Sequence, residues 1–314
     1  MSIRKSAKDL IEALKPEGIL FSKMTMIHDG DYTTYDADWN YKDVPHLHCL
    51  HQLVEAYPSL VSDEMIATIN MQKILGLAFP LPVFNYHTGK NNQTYYSTLF
   101  GFILIVETQW ESIGEIRTRV TTTYNIGSNR LLRWAHPLIR FLIKRNAKDL
   151  LSEDIPMRNR RGTLRKWGYQ FKSDTIPYSF LRTMAIHERN VVNPPIAPPQ
   201  PLTIDVAKDL PHEGTSILLG ESNHFGLKLV RNSKSIAAFP RLCNHEGSCL
   251  DNANVKDKHL TCPWHGKSIA PLFSFSLDQS QLESADSEFI AASLSGNELH
   301  IEFKGTKIGE LKAS

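Results

Sequence analysis

Residues 243–265 read CNHEGSCLDNANVKDKHLTCPWH, a Cys-x-His pair and a Cys-x-x-His pair separated by sixteen residues. Each half supplies one sulfur and one nitrogen, so the fold has to deliver two loops to one centre. A zinc site of Cys₂His₂ type is the competing reading. Zinc fingers, however, usually pair cysteine with cysteine and histidine with histidine along the chain. Mixed half-sites suit a binuclear iron–sulfur centre with two thiolates on one iron and two imidazoles on the other. Gly247 and Gly266 come just after the two histidines, where the backbone must turn tightly.

The run resembles the Rieske family, down to the CPWHG segment at residues 262–266. That resemblance implies a [2Fe–2S] cluster held by Cys243, His245, Cys262 and His265 in a small all-β domain. High-potential members of the family carry a further cysteine pair, joined as a disulfide beside the cluster. Here Trp264 stands between Pro263 and His265, so that disulfide cannot form, and Cys249 lies one position later than the family's other disulfide cysteine. The resemblance is therefore to the low-potential branch of ferredoxins and oxygenases. Cys49 and Cys249 are left over, and cysteines this sparse and metal-committed fit a reducing compartment.

A length of 314 residues allows two domains of ordinary size, each with its own core. The stretch VVNPPIAPPQP at 191–201 holds five of the chain's 17 prolines and reads as a semi-rigid spacer. It divides a domain at 1–190 from one at 202–314. Upstream, residues 7–14 read as a short amphipathic helix. Met65–Leu75, Gln93–Thr108 and Glu115–Tyr124 are rich in β-branched and aromatic residues and read as strands of an antiparallel sheet. From Ser128 to Leu151 the apolar spacing becomes helical, with Pro137 placed to bend the helix. A curved sheet followed by one long helix predicts a helix-grip, START-like cradle. Downstream of the spacer, short strands between Gly, Asn, Asp and Ser turns predict the small all-β domain, and the whole is α+β.

The segment NYKDVPHLHCLH at 40–51 contains Asp43, His46 and His51 in an Asp-x-x-His-x₄-His pattern. Two imidazoles and one carboxylate on one face of an iron leave positions open for oxygen and substrate. A polar surface explains three histidines in six residues equally well. By helical geometry His48 and His51 share a face better than His46 and His51. Pro45 predicts a helix start, with Val44 held out of the α region and Asp43 as a possible cap. The spacing also resembles the catalytic domain of Rieske non-haem iron oxygenases. That resemblance implies a mononuclear Fe(II) held by His46, His51 and an Asp on a late helix, which Asp154 of the Glu153-Asp154 pair supplies. It further implies that Asp43 bridges a ligand histidine to a cluster histidine and passes electrons. Family members place the Rieske domain first, and this chain reverses the order. The family's ring, commonly a trimer, becomes an expectation about a homo-oligomer whose transfer runs within or between subunits.

The resemblance thus implies the oxygenase component of a multi-component system. A ferredoxin or flavin reductase would supply electrons, and with O₂ the protein would hydroxylate, desaturate or demethylate an apolar organic substrate. No Gly-x-Gly-x-x-Gly fingerprint is present, so the chain is not expected to oxidise a nicotinamide itself. A net charge of +2 points to neither nucleic acid nor membrane, and the charged N-terminus does not read as a signal peptide. Leu99–Val106 is too short to span a bilayer, so a cytoplasmic protein is expected. Between Arg130 and Lys172 twelve Lys/Arg face three acids, a local excess of nine. This is either a dock for an acidic donor or the solvated face of long helices. His87 and His136 read as structural or exposed, and Phe100, Phe102, Ile103 and Ile105 as lining either a cavity or a core. Two rivals remain: an electron carrier with an iron-free scaffold, and a redox sensor whose N-terminal half binds a hydrophobic ligand.

Overall fold

The computed structural model describes residues 6–51, 54–74, 76–89, 91–175, 190–192, 198–223, 226–278, 282–287 and 289–304. Residues 193–197 of the proline-rich stretch lie outside them. The chain forms two compact units, Met1–Thr163 with Ser173–Ala185, and Leu164–Lys172 with Ile186–Ser314.

In the first unit α1 (Ala7–Leu14) falls where the amphipathic pattern predicts it, started by a reciprocal capping box between Ser6 and Asp9. Then come β1 (Leu20–Gly30), α2 (Thr34–Lys42), α3 (Pro45–Cys49) and six more strands. These are β2 (Val54–Val61), β3 (Met65–Ile74), β4 (Leu77–Gly89), β5 (Asn92–Leu99), β6 (Phe102–Gly114) and β7 (Arg117–Ser128). They form one antiparallel sheet in the order β1-β7-β6-β5-β4-β3-β2. A 3₁₀ turn at Arg130–Ala135 leads into the 31-residue helix α4 (His136–Lys166). This sheet and long helix make the first unit a helix-grip, START-like cradle.

The run from Gln93 to Thr108 holds two strands, not one. Leu99 pairs with Phe102, leaving Phe100 and Gly101 as a two-residue turn with φ of 49° and 82°. Both positive angles suit the twist of a tight hairpin, and a phenylalanine in that conformation is uncommon. Phe100 is consequently an exposed residue at the hairpin tip, its ring edge-on to Phe79.

Helix α4 departs from expectation at its prolines. Pro137 occupies the first turn, where a missing N–H costs nothing, and does not interrupt the helix. The proline inside the helix is Pro156, two residues beyond Asp154. The helix runs past Leu151 to Lys166. Its first residue, His136, is buried between Ser128 Oγ (2.8 Å from Nε2) and Ser22 Oγ (2.9 Å from Nδ1), a structural role.

The second unit continues with β8 (Gln170–Phe171) and β9 (Val191–Val192), which pair with each other. Next come β10 (Leu202–Asp205), the short helix α5 (Val206–Asp209), β11 (Ser216–Leu219), β12 (Leu227–Arg231) and β13 (Ser235–Pro240). After these follow β14 (Val255–Lys256), β15 (His259–Thr261), β16 (Ser268–Ile269) and β17 (Phe273–Ser276). The last strands are β18 (Glu283–Asp286), β19 (Ile290–Ser295) and β20 (Glu298–Phe303). Sheets β10-β20-β19-β18 and β11-β12-β13-β17 enclose one apolar core that includes Leu227, Leu229, Ile236, Phe273, Leu299 and Ile301. A small third sheet has the order β14-β15-β16.

Candidate metal centres

The two Cys/His half-sites are built as matching loops. In the first, Cys243 N–H donates to Ser248 O at 2.8 Å and Gly247 N–H to Cys243 O at 2.9 Å. In the second, the hairpin between β15 and β16, Cys262 N–H donates to Lys267 O at 2.8 Å and Gly266 N–H to Cys262 O at 2.9 Å. Gly247 and Gly266 have φ of 81° and 67°, the left-handed conformation that glycine adopts freely. All four Cys and His side chains are buried. Donor atoms of Cys243, His245 and Cys262 lie within 4.8 Å of one another. His265 joins them through Nδ1, 2.7 Å from His245 Nε2, while His245 Nδ1 is 2.7 Å from Cys243 Sγ.

Burial, then the neighbouring Cys262, hold the Cys243 thiol well above its ordinary pKa. Burial acts the same way on Cys262. There the Cys243 thiol and the backbone N–H groups of Trp264 and His265 outweigh it and favour the thiolate. Cys249 and Cys49 form no disulfide and are not among these four ligands.

The second constellation is assembled from α3 and α4. Pro45 stands at the start of α3 as expected, but Val44 has φ −70° and ψ −36° and is helical. The helix is only five residues long. His51 lies beyond its end, so the helical rule that would pair it with His48 does not apply. His46 and His51 are both buried with ring centroids 5.2 Å apart, while His48 is directed elsewhere, edge-on to Tyr57. Asp43 caps no helix N-terminus here. It ends α2, its N–H donating to Trp39 O, and is 1% exposed with Oδ2 3.9 Å from His46 Nδ1.

From α4, Asp154 Oδ1 reaches 3.4 Å from His46 Nε2 and 3.3 Å from His51 Nε2. Ligand atoms of the three residues fit within 4.8 Å. Both inward nitrogens are buried and make no hydrogen bond. Burial alone would raise the Asp154 pKa, but His46, His51 and Arg158 hold its carboxyl well below the usual range. Burial works against the His51 cation too, yet Asp154 and Glu153 raise its pKa overall.

Sequence reasoning assigned no part to three residues around this triad, Glu153 among them although it was named in the acidic pair. Glu153 Oε2 is 2.6 Å from His51 Nδ1, which leaves Nε2 facing inward. An acid on the outer nitrogen is the usual device for fixing a ligand imidazole. Asn40 Nδ2 donates to Asp154 Oδ1 at 3.2 Å and Asn40 Oδ1 accepts from Arg158 Nε at 2.7 Å. Arg158 Nη2 approaches Asp154 Oδ2 at 3.4 Å, and its guanidinium lies 4.3 Å over the Tyr41 ring. The i,i+4 spacing of Asp154 and Arg158 was the available signal.

Arg158 and Arg161 are fully buried, Arg161 against Asp36 (2.9 Å) and Asp174 (3.0 Å). Two of the twelve cations counted between 130 and 172 are therefore interior ion pairs and belong to no docking face.

His46 and Asp154 also line a cavity of about 330 Å³ in the first unit. Its walls are alternate residues of β3 to β7 and the residues of α4 spaced every third or fourth from Ile139. Phe102 and Ile103 line it as the sequence suggests, whereas exposed Phe100 and fully buried Ile105 do not. His87 is buried outside the lining.

Residues 200–272 match the Rieske [2Fe-2S] domain family, so the second unit contains a Rieske domain, which implies a [2Fe–2S] cluster. No curated protein matches the chain. Among solved structures, the Zhui aromatase/cyclase from Streptomyces sp. R1128 is similar at 9% identity and a TM-score of 0.41, covering 45% of this chain and 96% of its own. The di-domain ARO/CYC BexL from the BE-7585A biosynthetic pathway is similar at 12% identity and a TM-score of 0.39, over 48% of this chain. The chain spans about half of that protein, 53% of its length. A START superfamily protein from Mycobacterium smegmatis aligns at 8% identity and a TM-score of 0.37. Likenesses at this level carry nothing about activity. No helix among the described residues is long and apolar enough to cross a membrane.

Proposed function

We propose that the chain is the oxygenase component of a multi-component Rieske non-haem iron system, acting on an apolar organic substrate. The observation that carries the reading is the convergence of His46 Nε2, His51 Nε2 and Asp154 Oδ1, two of them orphaned buried nitrogens, with His46 and Asp154 lining a cavity of mixed, mostly apolar surface. Two imidazoles and one carboxylate are the ligand set of non-haem Fe(II) sites. The donor set fits a mononuclear Fe(II), which when bound supplies the capacity to activate O₂.

The chain's own residues have distinct parts. Glu153 holds His51 by its outer nitrogen, and Asn40 and Arg158 hold the Asp154 carboxylate. Asp43 faces the outer nitrogen of His46, and its proposed part is the link from that imidazole to a cluster histidine, in the same subunit or a neighbour. Cys243, His245, Cys262 and His265 are the proposed cluster ligands. A ferredoxin or flavin reductase is the proposed electron donor. The proposed domains are a catalytic one at 1–190, a spacer at 191–201 and the Rieske domain at 202–314.

Protein purified anaerobically and supplied with Fe(II) is expected to bind about three irons per chain. His46→Ala should bind about two and keep the cluster's visible spectrum. About two irons in both proteins would refute the oxygenase reading. It would leave a Rieske electron carrier or sensor with an iron-free ligand-binding domain, a reading the cavity also favours.

A further inference from the structure

The near-neutral net charge of the chain conceals one strongly uneven stretch. From Arg130 to Lys148 there are six Lys/Arg and no acid. All six are exposed, and none forms an ion pair among the described residues. The apolar residues of the same stretch divide by their surroundings. Leu132, Ala135, Ile139 and Ile143 pack inward with Phe102 and Ile126 of the sheet. Leu131, Trp134, Leu138 and Phe141 are 55–81% exposed, and their spacing puts them on one outer face. A helix that is apolar all round is normally covered all round. Here only the inner side is covered, and a large exposed apolar face rimmed by charge marks an interaction surface.

Two neighbouring features extend this face. Phe100 stands 66% exposed at the tip of the β5–β6 hairpin. That tip adjoins the helix start, since a Cβ on Gly101 would lie 2.9 Å from Leu132 Cδ1. A groove between β1 and α4 is lined by Met24, Pro137 and Phe141 together with Lys23, Arg140 and Lys144. Apolar and cationic walls in one groove suit a molecule that joins a hydrocarbon chain to a phosphate. An acidic protein partner accounts for the cations alone. An anionic bilayer surface accounts for the cations, the protruding apolar side chains and the aromatic hairpin tip together.

We propose that this face docks the first unit on an anionic lipid bilayer. Leu131, Trp134, Leu138 and Phe141 enter the boundary between headgroups and acyl chains, a depth that tryptophan favours. The six cations stay at the headgroup level and bind lipid phosphates. The inner side of the same helix supplies Ile139, Leu142 and Ile143 to the cavity wall. Docking would therefore hold the cavity about one helix diameter, roughly 10 Å, from the bilayer in which an apolar ligand dissolves.

Flotation of the full-length, cluster-loaded protein with vesicles tests this. One set is phosphatidylcholine alone, and the other contains about one-third phosphatidylglycerol. The anionic vesicles should bind about tenfold tighter or more, and less tightly as salt is raised. Trp134→Ser with Phe141→Ser should weaken that binding about tenfold or more. Arg133→Glu with Arg140→Glu should remove the preference for anionic lipid. Cluster absorbance and iron content should match the unsubstituted protein in both variants. If the serine variant misfolds, the glutamate variant carries the test. The proposal is overturned if neither vesicle binds, if both bind alike, or if either folded variant binds as before. It is equally overturned if the vesicles fail and an acidic plant-type ferredoxin binds in a way the glutamate variant abolishes, which would make the face a donor dock. A serine variant that changes only the oligomeric state would make it an interface between copies and overturn it too.

Discussion

Around the His46–His51–Asp154 triad the His51 ring and the Asp154 carboxylate are each held by another group, and Glu153 is the most testable of these partners. Its carboxylate 2.6 Å from His51 Nδ1 fixes the ring so that Nε2 faces Asp154. Glu153→Gln is expected to weaken Fe(II) binding about 10- to 100-fold, the usual cost of losing such a partner. Iron titration checks this, and the cluster spectrum should not change. The same groups give the metal-free protein a pH signature. The His51 pKa is raised above 6.5, so its contribution to stability is complete below that value and is lost as pH rises through the folded pKa. The Asp154 pKa is lowered below 3.8, so its contribution is present above that value and is lost only in stronger acid. Metal-free protein should therefore melt at a lower temperature at pH 8 than at pH 6. The drop should be smaller in His51→Gln, and an equal drop in both would reject the assignment.

At the scale of elements, loop geometry decides whether the cluster ligands meet. A side chain at Gly247 would have to adopt φ 81° and place Cβ 2.4 Å from Leu164 Cδ1. Gly214 has nearly the same φ, 79°, but nothing within 4 Å of a built Cβ. Backbone strain of about 1–3 kcal/mol is common to both, and the collision is particular to the cluster loop. Gly247→Ala should therefore lower both melting temperature and cluster absorbance, whereas Gly214→Ala should lower only the former, and by less. Cluster content equal in the two variants would show that the loop tolerates the side chain. Elsewhere, brevity has the same weight: α3 ends at Cys49, and that ending frees His51 to turn back on His46.

For the whole molecule, the division into two compact units predicts separable chemistry. Cys262→Ser should lose the cluster's visible absorbance yet keep about one iron in the first unit and that unit's binding to anionic vesicles. Loss of both together would mean that the units do not fold independently of each other's metal. Much of this plan was legible in the residues. The mixed Cys/His spacing led to the Rieske domain, and the change from period two to helical spacing led to the helix-grip unit, because such patterns are local consequences of backbone geometry. The sequence also singled out His46, His51 and Asp154. What it could not determine was which histidine of 46 and 48 faces inward, since that depends on where a five-residue helix stops. Nor could it tell that Arg158 and Arg161 are buried in ion pairs, or that Trp134 and Phe141 stand in solvent while Ile139 and Leu142 of the same run line the cavity. Charge and hydrogen-bonding capacity belong to a residue, but burial and partnership arise only when strands and helices distant in sequence pack together, and only the tertiary structure decides them.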